Sequence, residues 1–177
     1  KNFSRFFTKE INDTQTFLRR TLDEYINLKS EKIINIDNVF APKIIGLLKN
    51  NKIKNIIITG MGSCYTAAVG ISKYMSKRLN DNGICNIKIQ ATIASEGSGF
   101  YLSNNMKDTI VIVVAQSGTT VDTNVFASLA KKRGAYTLAL VNKRDGDITY
   151  IVENNIYLGN GRDVELSVPS TKTYTCH

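Results

Sequence analysis

The sequence predicts an α/β protein: a doubly wound, mostly parallel five-stranded sheet flanked by helices. Three observations predict it. From residue 54 onward, short apolar or β-branched runs alternate with stretches of helical periodicity. One run, Thr109 to Ala115, is apolar almost throughout, as a strand covered on both faces must be. Glycine or small polar residues follow two of the runs, just before a helical stretch.

The elements follow in order. Residues 3–21 carry Phe3, Phe6, Phe7, Ile11, Phe17 and Leu18 between polar residues, which predicts an amphipathic helix outside the main alternation. Residues 37–48 predict a second helix, with Pro42 near its start, where no N–H is needed. These two form an N-terminal part, residues 1–50, expected to pack on a domain of residues 51–177. In that domain, residues 54–60, 86–92, 109–115, 135–141 and 155–159 predict strands. Residues 64–79 place Ala68, Ile71, Met75 and Leu79 at helical spacing, and residues 120–133 do the same with Val121, Val125 and Leu129. Residues 95–102 predict a short turn or helix weakened by Gly97 and Gly99, and residues 145–152 a short helix.

Composition narrows the function. A chain of 177 residues, 42% hydrophobic, can bury one sizeable core. Its apolar runs are too short to span a bilayer, and no charged start leads into an apolar stretch, so a membrane partner and a secretory signal are not expected. The formal charge of +8 suits anionic partners, but the basic residues are scattered and not interleaved with aromatics. They read as a solvated surface, and no nucleic-acid partner is expected. Three cysteines, Cys64, Cys85 and Cys176, give an odd count without paired spacing, which fits a reducing, cytoplasmic setting. The one histidine is His177; no metal-ligand spacing, cofactor or catalytic residue is assigned. Because the chain starts at Lys1 and not at a Met, it is expected to be a processed or trimmed form.

Three segments carry chemistry. Gly60-Met61-Gly62-Ser63-Cys64-Tyr65 joins a strand to a helix whose N-terminus offers N–H groups and partial positive charge to an anion. It lacks the third glycine of a dinucleotide fingerprint and the Gly-Lys-Ser/Thr of a nucleotide loop, so a structural turn and a ligand loop fit it equally. Ala115-Gln116-Ser117-Gly118-Thr119-Thr120 follows the most apolar strand. Ser117, Thr119 and Thr120 can give hydroxyls to phosphate oxygens, and without a lysine the cradle is neutral, suited to a monophosphate. Capping alone would need one hydroxyl, and the cluster favours a ligand. In the segment from Gly161 to Lys172, Ser170 can cap a helix, and Arg162, Lys172 and Glu165 read either as site residues or as surface charges.

Taken together, these segments resemble the sugar-isomerase (SIS) domain family, in particular the first isomerase subdomain of glucosamine-6-phosphate synthase. The resemblance rests on Gly62-Ser63-Cys64-Tyr65, on Ala115 through Thr120 with Val121-Asp122-Thr123, and on Glu165 through Thr175. Phe7 to Ile11 and Ala94-Ser95-Glu96 add to it, so it covers nearly the whole chain. It implies a flavodoxin-like three-layer sandwich. It also implies sugar-phosphate contacts from Ser63, Cys64, Ala115, Gln116, Ser117, Thr120, Val168 and Ser170. Cys64 and Ala115 stand where the family has serines, Thr119 where it has a glutamate and Pro169 where it has an alanine, so the ligand is expected to differ or to bind more weakly. In the family, ring opening and proton transfer draw on a second isomerase domain, and ammonia release on a separate domain. This chain is therefore expected to bind and orient a hexose or amino-hexose phosphate without completing the reaction alone. A phosphosugar-sensing regulatory module is the alternative. A homodimer is expected, with Phe3, Phe6 and Phe7 packed on this domain or on a second subunit.

Overall fold

The computed structural model describes residues 5–27, 29–30, 32–34 and 40–161. Helix α1 (Phe6–Tyr25) buries Glu10, Phe17 and Thr21 and half-buries Thr14, Leu18 and Tyr25. That spacing of three and four is one helical stripe. Phe7 and Ile11 lie off the stripe, 44% and 43% exposed, so the N-terminal aromatics are not all packed on this domain. Phe3 and the Phe6 side chain lie outside the described residues. A two-stranded antiparallel ribbon follows, β1 (Ile26–Asn27) with β2 (Lys32–Ile33). The Asn27 side chain accepts from the Lys29 and Ser30 amides and bends the chain between them.

Helix α2 (Pro42–Lys49) has Pro42 in its first turn. The sequence pattern starts this helix at Asp37, but Phe40 and Ala41 are not helical. Pro42 holds Ala41 extended, at ψ 145°, and so sets the boundary.

Next come β3 (Asn55–Gly60), α3 (Ser63–Asp81), β4 (Lys88–Ile93), α4 (Ala94–Phe100), β5 (Thr109–Ala115) and α5 (Val121–Lys132). The chain continues through β6 (Tyr136–Val141), α6 (Ile148–Ile151) and β7 (Asn154–Tyr157) to a 3₁₀ turn, Leu158–Gly161. The five long strands form one parallel sheet in the order β4-β3-β5-β6-β7. Ile58 faces Ala91 on one side and Ile112 on the other, and Leu138 faces Ile112 and Asn154.

Both faces of the sheet are covered. Ile56, Ile58, Ile110, Val114 and Leu138 pack with Ile44 of α2 and with Ala67 and Ala68 of α3. Ile57, Val111, Val113, Ala139 and Val141 pack with Phe126, Ala127 and Ala130 of α5 and with Ile148 of α6. This explains why the strands read as unbroken apolar runs. Each aliphatic side chain buried fully in these layers contributes about 1.5–3 kcal/mol. Gly97 serves the same packing: a Cβ there would come 2.4 Å from Phe126 Cε2. The glycine that weakens α4 in the sequence pattern is what lets α4 lie against α5.

Helix α1 closes the β7 edge. Thr21 Oγ1 accepts the Gly159 amide at 2.9 Å, and the Tyr25 hydroxyl meets the backbone of Tyr157. Among the described residues, no helix is long and apolar enough to cross a membrane.

Candidate functional site

The strand order reverses beside β3. The chain leaves β3 through α3 to β4 on one side, then returns through α4 to β5 on the other. In an open parallel sheet, the crevice beyond the strand ends at such a point is where ligands bind. A cavity of about 300 Å³ lies there, at the small end of ligand clefts, which run from ~300 to ~1,000 Å³. Met61, Gly62, Ser63 and Cys64 form one wall; Ala115, Gln116, Ser117, Thr120 and Thr123 form the other. The N-termini of α3 and α5 both open onto it, from opposite faces of the sheet. None of the lining side chains is charged. Positive potential comes from the two helix ends, each worth roughly half a charge, with first-turn N–H groups that have no partner within the helix.

The first wall depends on Gly62, whose φ of 55° and ψ of −128° turn β3 sharply into α3. Ser63 is the first residue of the helix. Cys64 lines the cavity but belongs mainly to the apolar layer of Ile58, Ala67 and Ala68, with 9% of its surface exposed. Its thiol is a poor donor, so this position adds shape more than hydrogen bonding.

The second wall is held from behind. Gly118 has a φ of 73°, and its carbonyl accepts the Ile148 amide at 2.9 Å and the Asn124 side-chain amide at 3.3 Å. Gly146 lies directly beneath: a Cβ there would come 2.3 Å from the Ser117 carbonyl oxygen and 2.8 Å from Gly118 Cα. The Ser117 and Thr119 hydroxyls bond each other at 2.9 Å, and the Thr119 amide donates to Ser117 Oγ at 3.3 Å. Thr119 faces a different groove, so its hydroxyl orders Ser117 instead of lining the cavity.

Thr120 separates the two readings of this loop. It is the N-cap residue of α5, yet its side chain makes no capping hydrogen bond. The Thr120 carbonyl accepts the Thr123 hydroxyl at 2.8 Å, and Thr120 lines the cavity. Its hydroxyl is therefore not spent on the helix end.

Ser63, Cys64, Ala115, Gln116, Ser117 and Thr120 thus meet around one cavity. Val168 and Ser170, with Arg162, Glu165 and Lys172, lie outside the described residues. The sequence pattern missed Met61 and Thr123 in the lining and the support from Asn124, Gly146 and Ile148. The turn-forming Asp145-Gly146-Asp147 run was the available signal for that support.

The family model described as "SIS domain" matches residues 47–176. Glutamine–fructose-6-phosphate aminotransferase (isomerizing) from Clostridium tetani is 32% identical over 174 residues, covering 97% of this chain and 26% of that protein. The Pyrococcus horikoshii protein of the same name is 34% identical over 137 residues, covering 76% of this chain and 21% of the relative. The chain thus spans about a quarter of the length of the curated relatives it matches. Among solved structures, the C-terminal domain of glucosamine-fructose-6-phosphate aminotransferase from Francisella tularensis superposes with a TM-score of 0.80. It shares 21% identity and covers 99% of this chain and 45% of that chain. Tagatose-6-phosphate ketose/aldose isomerase from Escherichia coli gives 0.70 at 16% identity, covering 98% of this chain and 45% of that one.

Proposed function

The chain belongs to the SIS domain family, and from that premise we propose that the cavity at the β3/β5 switch point binds a hexose or amino-hexose phosphate. The observation that carries the proposal is Thr120, which lines the cavity and whose side chain makes no cap. In this reading the phosphate lies between the N-termini of α3 and α5 and accepts hydrogen bonds from Ser63, Ser117 and Thr120. Gln116 offers a donor and an acceptor to sugar hydroxyls. Cys64 and Ala115 shape the floor, and Val168 and Ser170 belong to the same site. The neutral lining suits no more than one phosphate, because two helix ends offset only about one of its roughly 1.5–2 negative charges.

We further propose that the chain is the substrate-binding half of a glucosamine-6-phosphate synthase-like protein. It would hold and orient the sugar phosphate, while ring opening and proton transfer use residues beyond those described. The aminotransferase relatives support this reading over a stand-alone sensing module. The proposal includes an N-terminal part, residues 1–50, packed on a phosphosugar-binding domain of residues 51–177; the family model begins at residue 47. It also includes a cytoplasmic setting and a homodimer. Neither Cys64 nor Cys85 is in a disulfide.

Calorimetric titration with fructose 6-phosphate, glucose 6-phosphate and glucosamine 6-phosphate tests the site. Heat is expected with at least one of them and none with the unphosphorylated sugar. No heat with any sugar phosphate, from a sample shown to be folded, removes the proposal.

A further inference from the structure

We propose that Asn142 is a positioning residue that holds the Gln116 side chain when a sugar phosphate is bound. The inference rests on the phosphosugar reading of the cavity and adds a residue behind its walls. Asn142 follows the last residue of β6 and is fully buried, 0% exposed. Its Oδ1 and Nδ2 are both buried without a hydrogen-bond partner, and among the described residues no other side chain has two such atoms. Buried polar groups in native proteins are nearly always paired, and an unpaired amide weakens the fold that carries it. A group held at that cost points to a partner gained in function.

The strand register shows what Asn142 can reach. Val141 lies opposite Ala115, so the next positions along the two strands set Asn142 beside Gln116. Parallel neighbours run about 4.8 Å apart. Leu138, Leu140 and Val114 all pack on the α3 side of the sheet. Alternation carries Asn142 and Gln116 to that same side. Gln116 lines the cavity, and no described residue holds its side chain by a hydrogen bond.

Two carboxamides complement each other. Each has two N–H donors and an oxygen with two lone pairs. One N–H and one lone pair from each side chain close a reciprocal pair of hydrogen bonds. Gln116 then keeps one N–H and one lone pair for sugar hydroxyls, at a fixed angle. Asn142 is not among the residues lining the cavity, so it acts through Gln116. The pair is open in this structure, and the ligand, by ordering Gln116, closes it.

The test uses the whole chain with two variants. Asn142→Leu keeps the branched outline and removes both polar atoms; Asn142→Ala removes them without adding bulk. Asn142→Leu should melt about 2–4 °C above wild type, because the unpaired atoms are gone. For whichever of fructose 6-phosphate, glucose 6-phosphate and glucosamine 6-phosphate binds wild type, calorimetry should show affinity about five- to tenfold weaker in both variants. Affinity for inorganic phosphate, read from amide chemical shifts of Ser63 and Thr120, should not change. In a Gln116→Ala background, Asn142→Leu should cost no further affinity. Sugar-phosphate affinity equal to wild type in both variants overturns this role alone and leaves the site standing. An equal loss for inorganic phosphate also overturns it, because it would mark a residue that merely supports the loops. So does a lower melting temperature in both variants, which would show the amide paired in the free protein. A wild type that binds no sugar phosphate removes the site and this role together.

Discussion

The Tyr25 hydroxyl makes two hydrogen bonds with the backbone of Tyr157: it donates to the carbonyl and accepts from the amide, both at 3.0 Å. Tyr157 ends β7, the edge strand of the sheet, so a helix side chain satisfies backbone groups that a further strand would otherwise pair. Tyr25→Phe keeps the ring and removes both bonds. A stability loss of about 1–3 kcal/mol is expected, measured by denaturant unfolding. Phosphosugar affinity should not change, and an unfolding midpoint equal to wild type would show that the edge does not depend on this hydroxyl.

The same side chain predicts a limit at alkaline pH. Burial, with a smaller push from the Glu24 carboxylate, raises the Tyr25 phenol above its ordinary value of 10.0. Burial also raises Tyr136, whose hydroxyl donates to Asn154 Oδ1 at 2.8 Å. A raised phenol favours folding while protonated, so its stabilisation is complete below the unfolded value and is lost as pH rises through the folded one. Stability should hold to about pH 10 and then fall, and Tyr25→Phe should fall less steeply over that range. Parallel curves for the two proteins would contradict the assignment to Tyr25.

Thr120→Val distinguishes a ligand hydroxyl from a cap. The Thr120 side chain makes no bond to α5, so unfolding free energy should stay within about 0.5 kcal/mol of wild type. Affinity for the sugar phosphate should fall about 10- to 100-fold, the worth of one hydrogen bond to a charged group. Loss of stability with affinity unchanged would reverse the reading.

Gly146→Ala tests the support behind the anion loop. The added methyl would lie 2.3 Å from the Ser117 carbonyl oxygen, and backbone would have to move to admit it. Binding should weaken at least about tenfold, with a stability cost of about 1–3 kcal/mol from overpacking. Unchanged calorimetry would show that the 143–148 turn does not set the loop.

Much of this was legible in the chain itself, for physical reasons. Strands covered on both faces leave unbroken apolar runs, so β5 and β6 could be read directly from Ile110 to Ala115 and from Ala135 to Val141. The cavity walls were legible because hydroxyls and glycines gather where a parallel strand turns into a helix. Other features leave no periodic trace. The β1–β2 ribbon has two residues in each strand, too few for alternation to show. On α1, Phe7 and Ile11 fit an amphipathic pattern as well as Phe17 does, and only the β7 edge selects the stripe through Glu10, Thr21 and Tyr25. The contact of Gly146 with Ser117 joins residues far apart in sequence: Asp145-Gly146-Asp147 announces a turn, but nothing local announces what that turn touches.

Helices α3 and α5 lie on opposite faces of the sheet and pack into separate cores, with Met61 of the first wall reaching the α5 side. Without ligand, Ser63→Ala and Thr120→Val should therefore change the folding free energy independently, and the double variant should equal the sum within about 0.5 kcal/mol. In a thermodynamic cycle, only an occupant touching both walls would couple them.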